Sequence, residues 1–168
     1  MLKSNSTHIP VMLNEVLEAL NVQPGGRYID ATTGGGGHSI GILERSDPDG
    51  RVLGIDADPT ALELAEKQMG SRKNRFQPVH GNFSAITDLS KAHNFSPVEG
   101  ILMDLGLSSL QLERGNRGFS FLRDEPLDMR FDPTTIRTAE LIVNEASLSE
   151  LTSIVRDFGE EPKANRIV

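Results

Sequence analysis

Residues 27–39 read Arg27-Tyr28-Ile29-Asp30-Ala31-Thr32-Thr33-Gly34-Gly35-Gly36-Gly37-His38-Ser39. A short apolar run ending in an acid, followed by glycines and then by residues able to continue as a helix, describes a strand that turns sharply into a helix. Four glycines open backbone dihedrals closed to other residues and let a ligand approach the main chain, while the helix start offers free N–H donors to an anion or carboxylate. The bend is a binding loop. A dinucleotide fingerprint needs glycine at i, i+2 and i+5, and counted from Gly34 or Gly35 the last position holds Ser39 or Ile40. No GK[ST] phosphate loop is present either.

Outward from this loop the chain alternates. Strand character is expected at Arg27–Ala31, Arg51–Asp56, Phe76–His80 and Val98–Leu105, with helices at His38–Arg45, Pro59–Met69 and Phe83–Ala92 between them. Asp58-Pro59 opens the second of these helices and Gly70 closes it. An earlier helix is expected behind Pro10, where Leu13, Val16, Leu17 and Leu20 share one face. The fold class is α/β and Rossmann-like: a parallel sheet covered on both faces, of order 3-2-1-4, with a ligand crevice where the winding reverses between strands one and four. The fourth strand, Ile101-Leu102-Met103, is apolar throughout and is expected to be covered on both sides.

Beyond Leu105 the pattern changes. Residues 111–137 hold five arginines, no lysine and five acids, with little periodicity. Two helices are expected next, Thr138–Ala146 and Leu148–Phe158, the second started by a Ser147–Glu150 capping box and carrying a stripe of Leu151, Ile154, Val155 and Phe158. Pro162 begins a further helix. The sheet would end at an open apolar edge, so the reading expects an N-terminal portion of a longer protein, or self-association into a homodimer.

Composition narrows the chemistry. The 168 residues suit one domain, or one and part of another. With no cysteine there is no disulfide, thiolate metal site or thiol nucleophile. A net charge of -7 is the wrong sign for a free-standing nucleic-acid binder that works by counterion release, so any RNA contact must be local. Apolar runs of only a few residues give no membrane span, and the cytoplasm is the default location.

Candidate site residues converge on the crevice. Asp56 ends strand two, twenty residues after Gly36, where a carboxylate accepts both hydroxyls of a ribose; Asp58, before Pro59, is better suited to capping. Phe83, in His80-Gly81-Asn82-Phe83, either flanks an adenine ring at the rim or belongs to the core. Asp104 ends an apolar strand at the switch point, where a carboxylate is costly unless paired or used. His38 either closes the helix start or faces the ligand. A metal would need partners that His8, His80 and His93 do not supply, so none is expected.

The stretches His8–Met12, Asp30–Ser39, Gly54–Pro59, Asp104–Gln111, Arg117-Gly118-Phe119-Ser120-Phe121, Pro126-Leu127-Asp128-Met129-Arg130 and Phe158–Glu161 resemble the bacterial small-subunit rRNA (cytosine-N4)-methyltransferases of the RsmH/MraW type. Leu110, usually proline there, and Pro162, usually arginine, depart from that pattern. The resemblance implies a class I methyltransferase fold. It also implies S-adenosyl-L-methionine as methyl donor, and a cytosine in the decoding region of 16S rRNA, within the small ribosomal subunit, as acceptor. Carried over by position, the cofactor residues are Gly36, Gly37, His38, Asp56, Phe83, Asp104 and Gln111. Residues 1–110 then correspond to the N-terminal part of the donor-binding domain, and 111–168 to the start of an inserted helical domain for substrate recognition.

Asp104, or backbone carbonyls after it, is the expected acceptor for the hydrogens of the cytosine amine. Methylation at cytosine C5 ordinarily uses a cysteine adduct, which this chain cannot form. Arg114, Arg117, Arg123 and Arg130 are the candidate phosphate contacts, against the alternative of ion pairs with Glu113, Asp124, Glu125 and Asp128. Two other readings remain at this point: a non-catalytic S-adenosylmethionine or nucleoside-binding module, and a nicotinamide-dependent oxidoreductase, which the glycine spacing disfavours.

Overall fold

The computed structural model describes residues 10–108, 111–112 and 116–168, and the chain divides into two compact units, Met1–Leu110 and Gln111–Val168. His8, Ile9, Leu110, Glu113 and Arg114 lie outside the described residues. The first unit runs α1 (Leu13–Ala19), β1 (Arg27–Asp30), α2 (Gly37–Arg45), β2 (Arg51–Asp56), α3 (Pro59–Gln68), β3 (Phe76–His80), α4 (Ile86–Ala92) and β4 (Gly100–Leu102). All strand pairs are parallel and the order is β3-β2-β1-β4, as the sequence predicts.

Alternation along the strands sorts the core into two layers. Tyr28, Val52, Phe76 and Leu102 point to one face and pack with Leu17, Ile42, Leu43, Ala65 and Met69 of α1, α2 and the α3 end. Ile29, Leu53, Ile55 and Val79 point to the other, against Phe95 with Ile86 and Leu89 of α4. Each large apolar side chain removed from water here contributes about 1.5–3 kcal/mol before entropy is counted. Gly54 is required by this packing: a Cβ there would lie 2.5 Å from the Phe76 ring and 2.7 Å from Thr33 Oγ1.

The fourth strand differs from its expectation. It spans only Gly100–Leu102, and although Leu102 is buried, Ile101 is 46% exposed and Met103 44% exposed. The strand pairs with β1 alone, and the apolar cluster on the Ile101 side, built from Ile29, Leu53, Ile55 and Phe95, does not reach it. Helix α1 starts at Leu13 rather than in the turn of Pro10, because Met12 takes a left-handed conformation (φ 53°). The segment expected as one helix from Phe83 opens as a 3-10 turn, Phe83–Ala85, with the Asn82 side chain accepting the Ser84 amide, and becomes α4 only at Ile86.

The second unit holds α5 (Ala139–Glu145), α6 (Leu148–Asp157) and α7 (Ala164–Ile167). Thr138 caps α5 and Ser147 caps α6, accepting the Glu150 amide at 3.2 Å, while the Glu150 carboxylate takes Arg137 at 2.8 Å. Phe158 leaves the expected stripe: it follows the last residue of α6 and is 86% exposed. Among the described residues no helix is long and apolar enough to cross a membrane.

Candidate functional site

The carboxyl ends of the four strands deliver four loops to one edge of the sheet. The loop after β1 is shaped from below by two buried groups. Asp30 is fully buried; its carboxylate accepts Ser39 Oγ at 2.7 Å and the Thr32 amide at 3.3 Å, so it joins the end of β1 to the first turn of α2. Thr33 donates its amide to the Ile55 carbonyl at 3.0 Å, with its hydroxyl 3.2 Å from the Asp30 and Ile55 carbonyls. These bonds hold the loop onto β2.

Within the loop the glycines have different tasks. Gly36 is left-handed (φ 86°), and a Cβ on it would lie 2.9 Å from Met69 Cε and 3.0 Å from Ala65 Cβ, so it allows the loop to close on α3. Gly37 faces Pro10, whose ring atoms lie 3.2–3.3 Å from where its Cβ would be. Gly34 is also left-handed (φ 52°), but its open side meets nothing nearer than the Thr32 carbonyl at 4.0 Å. That is the part of the loop a ligand can approach.

Asp56, at the end of β2, accepts the Gly34 amide at 2.7 Å on one oxygen and the Asp58 amide at 2.9 Å on the other. Burial pushes its carboxyl above the ordinary value, against the pull of the Asp58 and Gly34 amides. A carboxylate offers about four lone-pair directions, so two backbone donors leave room for more. Asp58 does cap α3, accepting the Thr60 amide at 3.0 Å. Phe83 is 39% exposed, a rim residue rather than a core one.

At the start of α2 His38 is buried, with Nε2 3.0 Å from the Val11 carbonyl and Nδ1 3.9 Å from Asp104 Oδ2. The Asp104 amide donates to Thr32 Oγ1 at 2.7 Å, fastening the stretch after β4 to the loop after β1. The expectation of a costly buried carboxylate at Asp104 is corrected: β4 ends two residues earlier, and the Asp104 side chain is 55% exposed. Gln111 is buried and belongs to the second unit. Thr32, Thr33 and Ser39, which build the loop, were not singled out from the sequence; hydroxyl residues bracketing the glycines were the available signal.

Of the four candidate arginines, the three described ones, Arg117, Arg123 and Arg130, have protein partners. Arg130 makes a two-pronged pair with Asp128, Nε to Oδ1 at 2.7 Å and Nη2 to Oδ2 at 2.6 Å, and reaches the Pro133 and Thr135 carbonyls. Arg117 donates to the Arg130 and Phe131 carbonyls, and Arg123 pairs with Glu125 and the Leu112 carbonyl. These bonds tie Arg130 and Arg123 to Asp128 and Glu125, and Arg117 to backbone carbonyls, within the irregular segment. Among the described residues no three His, Cys, Asp or Glu side chains converge as a metal site requires. Two open cavities lie elsewhere: about 460 Å³ beside Ser149, Thr152 and Arg156, and about 310 Å³ beside Glu44, Arg72 and Arg75, ahead of β3.

A 3-2-1-4 parallel sheet, a glycine loop after its first strand and a carboxylate closing its second define a Rossmann-like protein of the class I methyltransferase plan. The chain belongs to the MraW methylase family, whose model matches residues 5–168. It is 52% identical over 160 residues to ribosomal RNA small subunit methyltransferase H of Thermomicrobium roseum, covering 95% of this chain and 49% of that protein. It is 49% identical to the protein of the same name from Dehalococcoides mccartyi, covering 95% of this chain and 46% of that one. The chain thus spans about half the length of the relatives it matches. Among solved structures it is similar in fold to one from Clostridium thermocellum, named provisionally as an rRNA-methylase, with TM-score 0.50 and 22% identity over 60% of this chain and 55% of that one.

Proposed function

We propose that this chain carries the donor-binding part of an S-adenosylmethionine-dependent methyltransferase that modifies the exocyclic N4 of a cytosine in the decoding region of 16S rRNA, within the small ribosomal subunit. The observation that carries this reading is the bond between Asp56 and the Gly34 amide, which sets a carboxylate with spare acceptor capacity beside an open glycine. The relatives' names, ribosomal RNA small subunit methyltransferase H, supply the substrate class.

The residues present fit such a donor. Asp56 has lone pairs left for ribose hydroxyls, Gly34 leaves room for close backbone approach, and the half-exposed Phe83 is available at the rim to an adenine. Gly36, Gly37 and His38 set the loop and its helix start; Gln111, in the second unit, is assigned to the same site by the family pattern. Bound there, S-adenosylmethionine supplies an electrophilic methyl carbon on a sulfonium.

The protein's work is positioning. The acceptor nitrogen must be held roughly 3 to 3.5 Å from the methyl carbon and in line with the sulfur. Cytosine's amine is a poor nucleophile because its lone pair is delocalised into the ring. An acceptor for its N–H hydrogens favours the pyramidal, reactive form, and the exposed Asp104 carboxylate is that acceptor. With the donor bound, its methyl group would pass to the amine nitrogen and the sulfonium would leave as a thioether, while Asp104 would take the N–H proton the amine gives up and pass it to water. The target base must leave its stack to be reached, which suits a structured rRNA site.

Calorimetry with S-adenosylmethionine, followed by transfer of labelled methyl to immature small subunits, tests the reading. Donor binding is the expected result for this chain, with N4-methylcytosine formed only where the rest of a full-length relative's sequence is supplied. Binding without transfer even then supports the non-catalytic module for this chain, and no binding removes the methyltransferase reading.

A further inference from the structure

The larger cavity, about 460 Å³, lies within the second unit and has no task in the reading above. It opens between α6 and α7 and is lined by Leu148, Ser149, Thr152, Ser153, Arg156 and Asn165. Helical spacing builds its wall. Ser149, Thr152, Ser153 and Arg156 stand at i, i+3, i+4 and i+7 and share one face of α6, while Leu151, Ile154 and Val155 take the opposite face. Arg156 Nη2 donates to Asn165 Oδ1 at 3.0 Å, which aims the guanidinium along the cavity and leaves the Asn165 NH₂ group with hydrogens to give.

These polar groups share one property, hydrogens to donate. A guanidinium only donates, and among the described residues the hydroxyls of Ser149, Thr152 and Ser153 meet no protein partner. Among the described residues no carboxylate lines the cavity. Glu150, the acid between Ser149 and Thr152 on the same helix, is drawn to Arg137 at 2.8 Å. Arg156 thus differs from Arg123 and Arg130, whose guanidinium groups are paired with acids. One positive charge among neutral donors matches a group that bears one negative charge and only acceptor atoms, which describes a phosphodiester.

We infer that the groove between α6 and α7 holds a backbone phosphate of an RNA strand, with Arg156 supplying the charge, the three hydroxyls the neutral donors, and Asn165 the orientation of the guanidinium. The inference goes beyond the methyl-transfer reading and takes from it only that the partner is RNA. A peptide carboxylate carries the same charge, but the groove has more room than one such group fills. Its volume falls in the roughly 300–1,000 Å³ of small-molecule sites, enough for a nucleotide whose sugar rests against Leu148. The charge balance of the chain points the same way. At a net charge of -7 there is no overall attraction for RNA, so phosphate must be held where donors gather without acids, as they do here.

The experiment is fluorescence anisotropy of a labelled short oligocytidylate across a salt series, on the wild-type chain, Arg156→Gln, Asn165→Asp and Arg45→Gln. Arg156→Gln should bind about tenfold more weakly at low salt, and its slope of log affinity against log salt should be shallower by about 0.7, the value for one phosphate of a single strand. Asn165→Asp keeps an acceptor for Arg156, and with it the link between the helices, but sets a carboxylate in the groove. It should weaken RNA at least as much while urea denaturation shows it folded. Arg45→Gln removes an exposed cation at the end of α2 and should stay within about twofold of wild type. On a methylphosphonate strand, which keeps the bases and lacks the charge, wild type and Arg156→Gln should bind alike. Equal affinity and slope in wild type and Arg156→Gln overturn the inference. So does a loss in Arg156→Gln that persists on the methylphosphonate strand, or a wild type that binds no RNA. Arg156-dependent binding of polyglutamate in place of RNA assigns the groove to an acidic peptide and overturns it as well. Calorimetry with S-adenosylmethionine separates the two readings: donor binding with no Arg156 effect on RNA removes the groove alone, whereas Arg156-dependent RNA binding without donor binding removes the methyl-transfer reading and keeps the groove.

Discussion

Asp56 and Gly34, 22 residues apart in the chain, are joined by a 2.7 Å hydrogen bond from the glycine amide to the carboxylate. The bond ties the loop after β1 to the end of β2, so the ligand-facing backbone and the acid expected to hold a ribose form one unit. The second carboxylate oxygen accepts the Asp58 amide and steadies the entry to α3.

Asp56→Ala should therefore lower both stability and donor affinity. Two backbone donors lose their partner, at about 1–3 kcal/mol for each one left without water. Asp56→Asn retains one acceptor oxygen and should lose less stability, yet still bind S-adenosylmethionine at least about tenfold more weakly, since fewer lone pairs remain for ribose. Urea denaturation and calorimetry separate the two effects. Unchanged affinity in Asp56→Ala would remove this residue from the site.

Gly36→Ala and Gly34→Ala should differ in kind. At Gly36 a methyl group meets Met69 and Ala65 in a left-handed conformation, so a loss of about 2–4 kcal/mol in unfolding free energy is expected. At Gly34 only the conformational cost applies, about 1–2 kcal/mol, because the methyl enters open space. Donor binding should nevertheless suffer more at Gly34. Denaturation midpoints set beside calorimetric affinities test the contrast.

Asp30→Asn should change how stability depends on pH. Burial raises the Asp30 carboxyl above its ordinary value of 3.8, outweighing the Ser39 and Thr32 hydrogen bonds. The folded state therefore holds this proton more tightly than the unfolded chain does. Its contribution to stability is fully present below 3.8 and is lost as pH rises through the raised folded value. Asparagine does not ionise, so the variant's unfolding free energy relative to wild type should climb across that window and then level. A difference independent of pH, measured by urea denaturation from acid to neutral, would contradict this.

In the second unit, the Arg130 guanidinium holds the Asp128 carboxyl down at about 2 through a two-pronged pair. Here the sign is opposite: the stabilisation is present above 3.8 and is lost as pH falls toward about 2. Arg130→Lys cannot reproduce the fork. Carbon-detected titration of Asp128 should show its carboxyl returning toward 3.8 in the variant.

Much of the fold was legible from local pattern. The bounds of β2 and β3, the Asp58 cap of α3 and the Ser147 cap of α6 each depend on residues within a few positions of one another and agree with the structure, and β1 ends one residue earlier than expected, at Asp30. The misread parts depended on distant neighbours. Ile101 and Met103 look like a doubly covered strand, but burial requires a layer to cover them, and the cluster on the Ile101 side stops short. The Arg130–Asp128 pair was one of the two readings open from the sequence, and the chain path around Pro133 and Thr135 adds two backbone carbonyls to it.

From its residue order alone, this protein was determined to be an α/β chain of order 3-2-1-4 with a glycine bend at its crevice, because side-chain period, glycine dihedrals and caps act over a few residues. The tertiary structure decided which acids are buried and which are free: Asp30 beneath the loop, Asp56 bonded to it, Asp104 open to water. It also joined His38 Nε2 to the Val11 carbonyl 27 residues away, and anchored Asp104 to Thr32 across 72 residues. Burial and hydrogen-bond partnership are set by strand register and by which loops meet at the sheet edge, and neither is a property of any one segment.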